Sequence, residues 1–311
     1  MDLGRSVKIM LRGATCLALA GCVTTGPGTL PVPEPVPQVV PSPPTPKSAA
    51  ATAYYAQVQQ LLLSQGMLRT DGGEGVSVPA RVLADNFMRI AMFDEYRRGS
   101  GGFVREETAS SLRRWEQPIR FSVRFGPSVP PEKQATDRAR IASYVARLSQ
   151  ITGRAMSLDE RSPNFFVYIV SEDERETMGP LVQAALPGLS PADVAGITAL
   201  PRSTYCLVYA LAEGETGSYT RAFAVIRAEH PDLLRLSCMH EELTQGLGLP
   251  NDSPRARPSI FNDDEEFALL TDHDEKLLRI LYSPELRPGM TVAEVRPIVE
   301  TLARRLTGGD S

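Results

Sequence analysis

The sequence predicts an α+β fold in which a small mixed sheet is preceded and followed by helices. Residues 118–125 alternate apolar and polar side chains, which is typical of a strand buried on one face. Residues 164–170 form a continuous apolar run, which indicates a strand buried on both faces. Helical patterns surround both strands, so the predicted order is helices, β-α-β, β-β and helices again.

Two helical patterns precede the first strand. Residues 49–68 are rich in helix formers, and residues 79–98 place apolar side chains at helical spacing. The run 99–102 (GSGG) breaks the second pattern. We therefore expect an N-terminal helical region over 49–112 that caps a main domain over 113–307.

Capping signals and apolar patterning predict the other elements of the main domain. Gly153 ends one helix, and Ser171 with Glu174, Thr271 with Asp274, and Thr291 with Glu294 form capping boxes. The predicted elements are helices over 132–152, 231–247 and 272–282, a short helix after Ser190-Pro191, strands over 204–211 and 221–227, and a final helix after Thr291.

Composition limits the function. The 33 basic and 37 acidic residues give a net charge of −4, which is too weak and too mixed for a nucleic-acid partner. Only three histidines are present, which restricts metal sites built from imidazoles.

The first residues resemble the signal of bacterial lipoproteins. Arg5, Lys8 and Arg12 are basic, residues 13–20 are apolar, and Leu19-Ala20-Gly21-Cys22 matches a lipobox. The resemblance implies cleavage after residue 21, a lipid on Cys22 and anchoring in the cell envelope. Val23 favours the outer membrane, with the protein facing the periplasm. An ordinary secretory signal and an uncleaved anchor are the alternatives.

Residues 22–48 are predicted to be a tether. Nine prolines occur within residues 27–46, and each one fixes φ and removes a backbone donor. Polyproline II at ~3.1 Å per residue would give residues 27–46 a reach of about 60 Å. A ligand for a proline-binding domain is the alternative interpretation.

Two cysteines remain once Cys16 is removed with the signal and Cys22 is lipidated. An even pair in an oxidising compartment predicts a disulfide between Cys206 and Cys238. The alternative is a pair of buried free thiols.

Residues 240–252 (HEELTQGLGLPND) contain the candidate metal ligands and the candidate general base. The segment resembles the H-E-x-x-H-x-x-G-x-x-H motif of zincin metallopeptidases of the metzincin branch. In that motif, ligands at i and i+4 share a helix face, the Glu activates water, and the Gly lets a third ligand return to the metal.

Two registers are possible. Counting from His240 places Thr244 and Pro250 at the other ligand positions, so this register does not supply the ligands of the motif. Counting from Glu241 gives ligand positions Glu241, Gln245 and Asn251, with Glu242 as general base and Gly248 as the turn glycine. Asp252 follows directly.

The resemblance continues downstream. Residues 258–261 (PSIF) resemble the Met-turn, with Phe261 at the Met position, and residues 270–282 resemble the C-terminal helix of matrixin-type enzymes. The string E-E-L-T-Q-x-x-G-L-x-N-D and Leu281-Tyr282-x-Pro284 also resemble a bacterial lipoprotein family catalogued as a domain of unknown function and grouped with zincins. The resemblance implies a zincin-like α+β domain with an active-site-type helix and degenerate ligands.

One carboxylate and two amides are a poor zinc set, because zinc prefers imidazole and thiolate. A hard divalent cation is the alternative, with Asp252 or Asp263-Asp264 as further oxygen ligands. We expect no cofactor, and a hydrogen-bond network of Glu241, Gln245 and Asn251 in the former metal cavity. His240 is expected at the surface or behind the ligands, His230 in a loop, His273 in solvent, and residues 263–266 on a solvated acidic face.

These observations predict a non-catalytic envelope lipoprotein with a binding or scaffolding role. Its membrane contact is the lipid on Cys22, and its partners are a peptide, a glycan or an envelope protein. The alternative is an atypical hydrolase that uses Glu242 as general base with a non-standard metal. A third hypothesis is a subunit of an envelope complex that docks through the helices of residues 49–98.

Overall fold

The structure is a computed structural model that describes residues 43–99, 102–214, 216–262 and 264–309. The lipobox, Cys22 and most of the proline-rich tether lie outside the described residues. Within these ranges, none of the helices has the length and apolar character that a membrane span requires.

Helices and strands occur in the order that the sequence predicts for the main domain. The helices are α1 (Pro46–Ser64), α2 (Ala80–Ala91), α3 (Pro131–Thr152), α4 (Glu172–Glu176), α5 (Gly179–Ala185), α6 (Pro191–Thr198), α7 (Asp232–Gln245), α8 (Asp272–Leu281) and α9 (Val292–Leu306). The strands are β1 (Phe93–Gly99), β2 (Gly102–Ala109), β3 (Arg114–Trp115), β4 (Ile119–Phe125), β5 (Met156–Leu158), β6 (Phe165–Val170), β7 (Cys206–Ala212) and β8 (Ser218–Arg227).

Strands β3 to β8 form one mixed sheet. The path β3-β8-β6-β4-β5 is parallel throughout, and β7 pairs with β8 in the antiparallel sense. The pairing of β6 with β8 runs from Phe165–Ala222 to Val170–Arg227. The α+β class with a mixed sheet is therefore confirmed.

Helices cover both faces of this sheet. Along β8, Ala222, Ala224 and Ile226 belong to the main core, which also contains buried residues of α2, α3, α7, α8 and α9. Phe223 and Val225 point to the opposite face and pack against α5 and α6. This alternation follows from the two-residue period of a strand, and it buries β8 on both sides.

The expected helix over 79–98 is wrong beyond residue 91. Helix α2 ends at Ala91, and β1 and β2 form a separate antiparallel hairpin in which Gly99 pairs with Gly102. The apolar spacing that predicted the helix stops at Phe93, well before the glycine-rich run over 99–102. The N-terminal region is thus two helices and a hairpin.

Helix α1 packs onto the main domain. Its Ala51 and Tyr55 are fully buried and form a small core with Leu68, Leu234 and Ala268. The Tyr55 hydroxyl donates to the Arg202 carbonyl at 3.1 Å. The helix begins at Pro46, three residues before the predicted start, because Thr45 caps it by accepting from the Ser48 amide.

Local signals located most helix ends correctly. The three predicted capping boxes are present at α4, α8 and α9, and Gly153 ends α3 with a φ of 67°. The sequence analysis missed β3, β5 and α5, which are two, three and seven residues long. Elements this short carry too little periodicity to be recognised.

Candidate functional site

Helix α7 carries the HEELTQ part of the motif. It follows β8 after a short turn, contacts β7 and β8, and buries most of its side chains. The segment that follows it, from Gly246 to Asp252, runs toward the end of α2. The candidate site therefore comprises α7, the edge strand β7 that it contacts, and the segment that runs from α7 to the end of α2.

Gly248 is required by the turn that follows α7. Its φ is 126°, and a Cβ atom at this position would lie 2.2 Å from the carbonyl oxygen of Arg113. Only glycine fits such a conformation and such a close approach. The register that starts at Glu241 places its turn glycine at this residue.

Beyond this turn, Asn251 is held by the last turn of α2. Its backbone amide donates to the Ile90 carbonyl at 3.1 Å, and its Nδ2 donates to the Arg89 carbonyl at 2.9 Å. The side chain is 3% exposed. Asn251 thus acts as a donor that satisfies two carbonyls of α2.

Gln245 and Glu241 lie one helical turn apart on α7 and contact different neighbours. Gln245 Nε2 donates to Asp252 Oδ1 at 2.9 Å. Glu241 is half-buried, and its Oε2 lies 3.8 Å from Cys206 Sγ on β7. Both amides at the ligand positions therefore donate to groups of this chain. A set of one carboxylate and two amides fits zinc poorly, because zinc prefers imidazole and thiolate ligands.

His240 faces the core on the other side of α7. Its ring stacks on Tyr144 of α3 with centroids 3.9 Å apart, and its Nδ1 accepts from the Leu270 amide at 3.1 Å. Burial lowers the pKa of His240 to about 3, so the imidazole is neutral. The expectation of a surface position is wrong, because α3 and the chain before α8 enclose the ring.

The other two histidines are also buried. His273 was expected in solvent, but its Nε2 lies 3.1 Å from Asn86 Nδ2 of α2, and burial lowers its pKa to about 4. His230 lies in the turn before α7, as expected, and burial lowers its pKa well below the ordinary value.

Cys206 and Cys238 form the predicted disulfide, which joins β7 to α7 across 32 residues. The bond begins on the first residue of the edge strand and ends one turn before Glu241. On the chain-entropy model, closure of a loop of this size contributes roughly 3–4 kcal/mol to stability. The bridge therefore fixes the edge strand against the helix of the motif.

Glu242, the candidate general base, is 3% exposed. A general base must reach a proton of the substrate or of a water molecule. Its burial favours a role inside the domain over a role in a solvent-filled cleft.

The segment that resembles the Met-turn is anchored by Asp274. The Asp274 carboxylate accepts from Ser259 Oγ at 2.6 Å, from the Ile260 amide at 3.1 Å and from Thr271. Burial raises the pKa of Asp274 to about 6, although these hydrogen bonds act to lower it. Phe261, at the predicted Met position, is fully buried.

The acidic run at 263–266 takes part in ion pairs where it is described. Arg257 pairs with Asp264 and Glu266, and Arg69 also pairs with Glu266. Asp263 lies outside the described residues. The carboxylates of Asp264 and Glu266 are therefore engaged by arginines.

Sequence reasoning missed the contacts that come from distant segments. Asn86, Arg89 and Arg113 lie more than 120 residues before the motif, yet they contact His273, Asn251 and Gly248. No local pattern relates α2 to α7 or α8. The contact of Gln245 with Asp252 was closer to prediction, because Asp252 was placed directly beside the ligand positions.

Comparison with known proteins identifies one family. A model described as "Protein of unknown function (DUF2927)" matches residues 80–301, which is more than half of the chain. The match includes α2, the mixed sheet and α7. The search of curated proteins and the search of solved structures found no match.

Proposed function

Because the chain belongs to the DUF2927 family of proteins of unknown function, we propose its function from its own residues. We propose an exported, lipid-anchored envelope protein whose folded domain is a degenerate zincin-like module that binds an extended peptide without metal catalysis. In this proposal, the side chains of Glu241, Gln245 and Asn251 stabilise the fold, and the edge strand β7 binds the peptide.

One observation carries the non-catalytic part of the proposal. The amides of Gln245 and Asn251 donate to Asp252 and to the Arg89 carbonyl, and His240 is enclosed by Tyr144 and Leu270. The two amide nitrogens and the imidazole are thus engaged by the chain itself. A metal at this place would have the Glu241 carboxylate and two amide oxygens as ligands, which is a poor set for zinc.

The zincin-like part of the proposal is supported by the position of α7. The helix follows a central strand of a mixed sheet and lies beside an antiparallel edge strand. Gly248 adopts the positive φ that the returning turn of the motif needs. Asn251 then follows at the third ligand position, as it does in the register from Glu241.

The edge strand supports peptide binding. In the described part of the chain, β7 pairs with β8 alone, so its other edge offers backbone donors and acceptors. An extended peptide adds to such an edge by β-augmentation, in which main-chain hydrogen bonds supply affinity. The disulfide at Cys206 holds the start of this strand on α7.

The metal question has a direct test. We expect the purified full chain to contain no stoichiometric metal by elemental mass spectrometry, and to keep its melting temperature when a chelator is added. The Glu242→Gln variant should match wild type in peptide hydrolysis assays at the background rate. Stoichiometric metal that chelation removes, with a lower melting temperature, would contradict this proposal and favour a hydrolase with Glu242 as base.

The peptide-binding part is tested with a pair of prolines. Successive backbone amides of a strand point to opposite edges, so Val208→Pro and Tyr209→Pro remove amides on different sides of β7. We expect one variant to lose β8 pairing and melting temperature. The other should keep its melting temperature but lose peptides selected from a phage-displayed library on wild type. Equal peptide binding by the stable variant and wild type would contradict the proposal.

Export and lipidation are tested at Cys22. The full chain should incorporate an alkyne-labelled fatty acid and fractionate with membranes, and Cys22→Ser should lose both properties. Cys16→Ser is the matched control and should keep them. Label incorporation by Cys22→Ser would contradict the lipid anchor.

A further inference from the structure

We propose that a cavity beside the amino ends of β4, β6 and β8 binds a small anionic molecule by its phosphate or carboxylate group, with Arg120 and Arg221 as the clamp. We call it the arginine cavity. Glu241, Gln245 and Asn251 are not among the residues that line it. The inference therefore does not rest on the proposed function of α7 and β7.

The sheet register brings the two arginines to the same end of the sheet. Phe165 begins the pairing of β6 with both β4 and β8. Arg120, Asn164 and Arg221 each precede one of the three residues in that row, so they form the next row toward the amino ends. Strands lie about 4.8 Å apart, so the α-carbons of the two arginines are roughly 10 Å apart. Their side chains leave the face of the main core that contains Phe165, because successive residues of a strand alternate between faces.

Each guanidinium is fixed by one backbone carbonyl and keeps further donors. Arg120 Nε donates to the Ser162 carbonyl at 2.5 Å, and Arg221 Nη1 donates to the Ala185 carbonyl at 3.2 Å. Within the described ranges, neither arginine forms an ion pair with a carboxylate. Both side chains are half-buried, so their remaining N–H groups bind an anion at a low cost in side-chain entropy.

Asp159 lies near Arg120 but does not fill the clamp. Its Oδ1 accepts from the amides of Arg161 and Ser162 at 2.8 and 3.1 Å. These hydrogen bonds, together with the charge of Arg120, lower the pKa of Asp159. Among the described residues, the lining of the cavity includes two arginines and no acidic side chain. The cavity therefore favours a negatively charged ligand.

Asn164 holds the frame between the two arginines. Its Oδ1 accepts from the Arg120 amide at 2.6 Å, and its Nδ2 donates to the Pro118 carbonyl at 3.0 Å. The side chain is 9% exposed and ties the start of β6 to β4. The clamp is thus built on a fixed frame rather than on a loose loop.

The rest of the cavity suits one small polar molecule. Its volume is about 320 Å³, which is at the lower end of the range for ligand pockets. Trp115 and Tyr219 form a buried wall, and Gln117 and Thr220 place exposed polar groups at its opening. A molecule of monosaccharide size that carries one oxyanion matches this combination.

Calorimetry on the purified full chain tests for anion binding. The probes are inorganic phosphate, glucose 6-phosphate and glucuronate, with glucose as the neutral control. We expect saturable binding of the sugar phosphate or of glucuronate and none of glucose, and the tighter ligand identifies the group as phosphate or carboxylate. The affinity should fall as salt is added, because the clamp is charged and half-exposed. Trp115 is the only tryptophan of the chain, so binding should also change the intrinsic fluorescence.

Matched variants locate the binding. Arg120→Gln and Arg221→Gln should each weaken it by about tenfold or more, since each removes charge-assisted hydrogen bonds. Arg161→Gln removes the same charge from an exposed residue outside the lining, and it should bind like wild type. Arg221→Lys keeps the charge without the planar fork and should give an intermediate affinity. Melting curves without ligand check that each variant is folded.

Three results would overturn the proposal. The first is the absence of binding by all three anions at millimolar concentration. The second is equal affinity for glucose and glucose 6-phosphate. The third is an equal loss of affinity in Arg161→Gln and Arg120→Gln, because binding would then depend on net charge and not on the clamp.

Discussion

Two buried polar regions of this molecule differ in charge. Near the carboxyl end of β8, the Glu172 carboxylate pairs with Arg175 at 2.9 Å and with Arg227. The Glu229 carboxylate accepts hydrogen bonds from the Glu172 amide at 2.7 Å and from Ser48 Oγ at 2.8 Å. On and after α7, by contrast, Gln245, Asn251 and His240 are neutral groups. We call the first set the ion cluster and the second set the α7 polar group.

The two regions therefore respond differently to change. Loss of one charged partner in the ion cluster leaves a buried excess of the opposite charge, which is among the costliest defects in a protein. Loss of a neutral amide leaves one or two unsatisfied hydrogen-bonding groups. The ion cluster links α1, α4 and β8, whereas we expect the α7 polar group to tolerate substitution at Gln245 and Asn251.

The largest expected effect is at Arg227. Burial acts to raise the pKa of Glu172, but Arg175 and Arg227 hold it below the ordinary value, so the carboxylate is charged. Arg227 also donates to the Leu200 and Pro201 carbonyls at 3.0 and 2.8 Å. Arg227→Met should lower the free energy of unfolding by about 3–5 kcal/mol in urea denaturation.

A second variant tests whether charge is the cause. Glu172→Gln in the Arg227→Met background removes the carboxylate that Arg227 paired with, so the losses of the two single variants should be less than additive in the double variant. Additive losses in the two single variants and the double variant would show that the pair is not coupled and would break the comparison.

Asp274 combines a feature of each region, because it is a buried carboxylate like those of the ion cluster but its hydrogen-bond donors are neutral. Replacing it in Asp274→Asn puts an amide NH₂ against those donors, so we expect a loss of about 1–3 kcal/mol in urea denaturation at neutral pH. Thr291 with Glu294 is the matched control, because that capping box is exposed. Glu294→Gln should change stability by less than Asp274→Asn.

The same residue gives a pH signature. Burial raises the pKa of Asp274 from 3.8 to about 6, so the folded state favours the protonated carboxyl. Its contribution to stability is full below pH 3.8 and is lost as the pH rises through 6. The difference in unfolding free energy between wild type and Asp274→Asn should therefore change across this window. Parallel curves from pH 4 to 6 would contradict the assignment.

The sequence predicted interactions that are local and missed those that close over long distances. Thr271 with Asp274 follows from three-residue spacing, but the contacts of Asp274 with Ser259 and Ile260 depend on how a loop folds back. His273 was expected in solvent because it lies in a first helical turn. Its burial depends on Asn86, which is 187 residues earlier.

The candidate site shows the same division. The turn at Gly248 and the Cys206–Cys238 bridge were predictable, because a motif spacing and a cysteine count indicate them. The hydrogen bond from Asn251 to Arg89 was not predictable, since its partner is a backbone carbonyl on another helix. Backbone partners carry no sequence signature of their own.

The smallest expected effect is at Gln245, and it sharpens the comparison most. Its amide donates to Asp252, which is half-buried and adjacent to solvent, so water replaces part of the lost bond. Gln245→Ala should lower the free energy of unfolding by about 1 kcal/mol, well below the loss in Arg227→Met. A loss as large as that of Arg227→Met would show that the α7 polar group supports the fold as strongly as the ion cluster. In that case stability would constrain Gln245 and Asn251, and their neutral character would say nothing about a binding role.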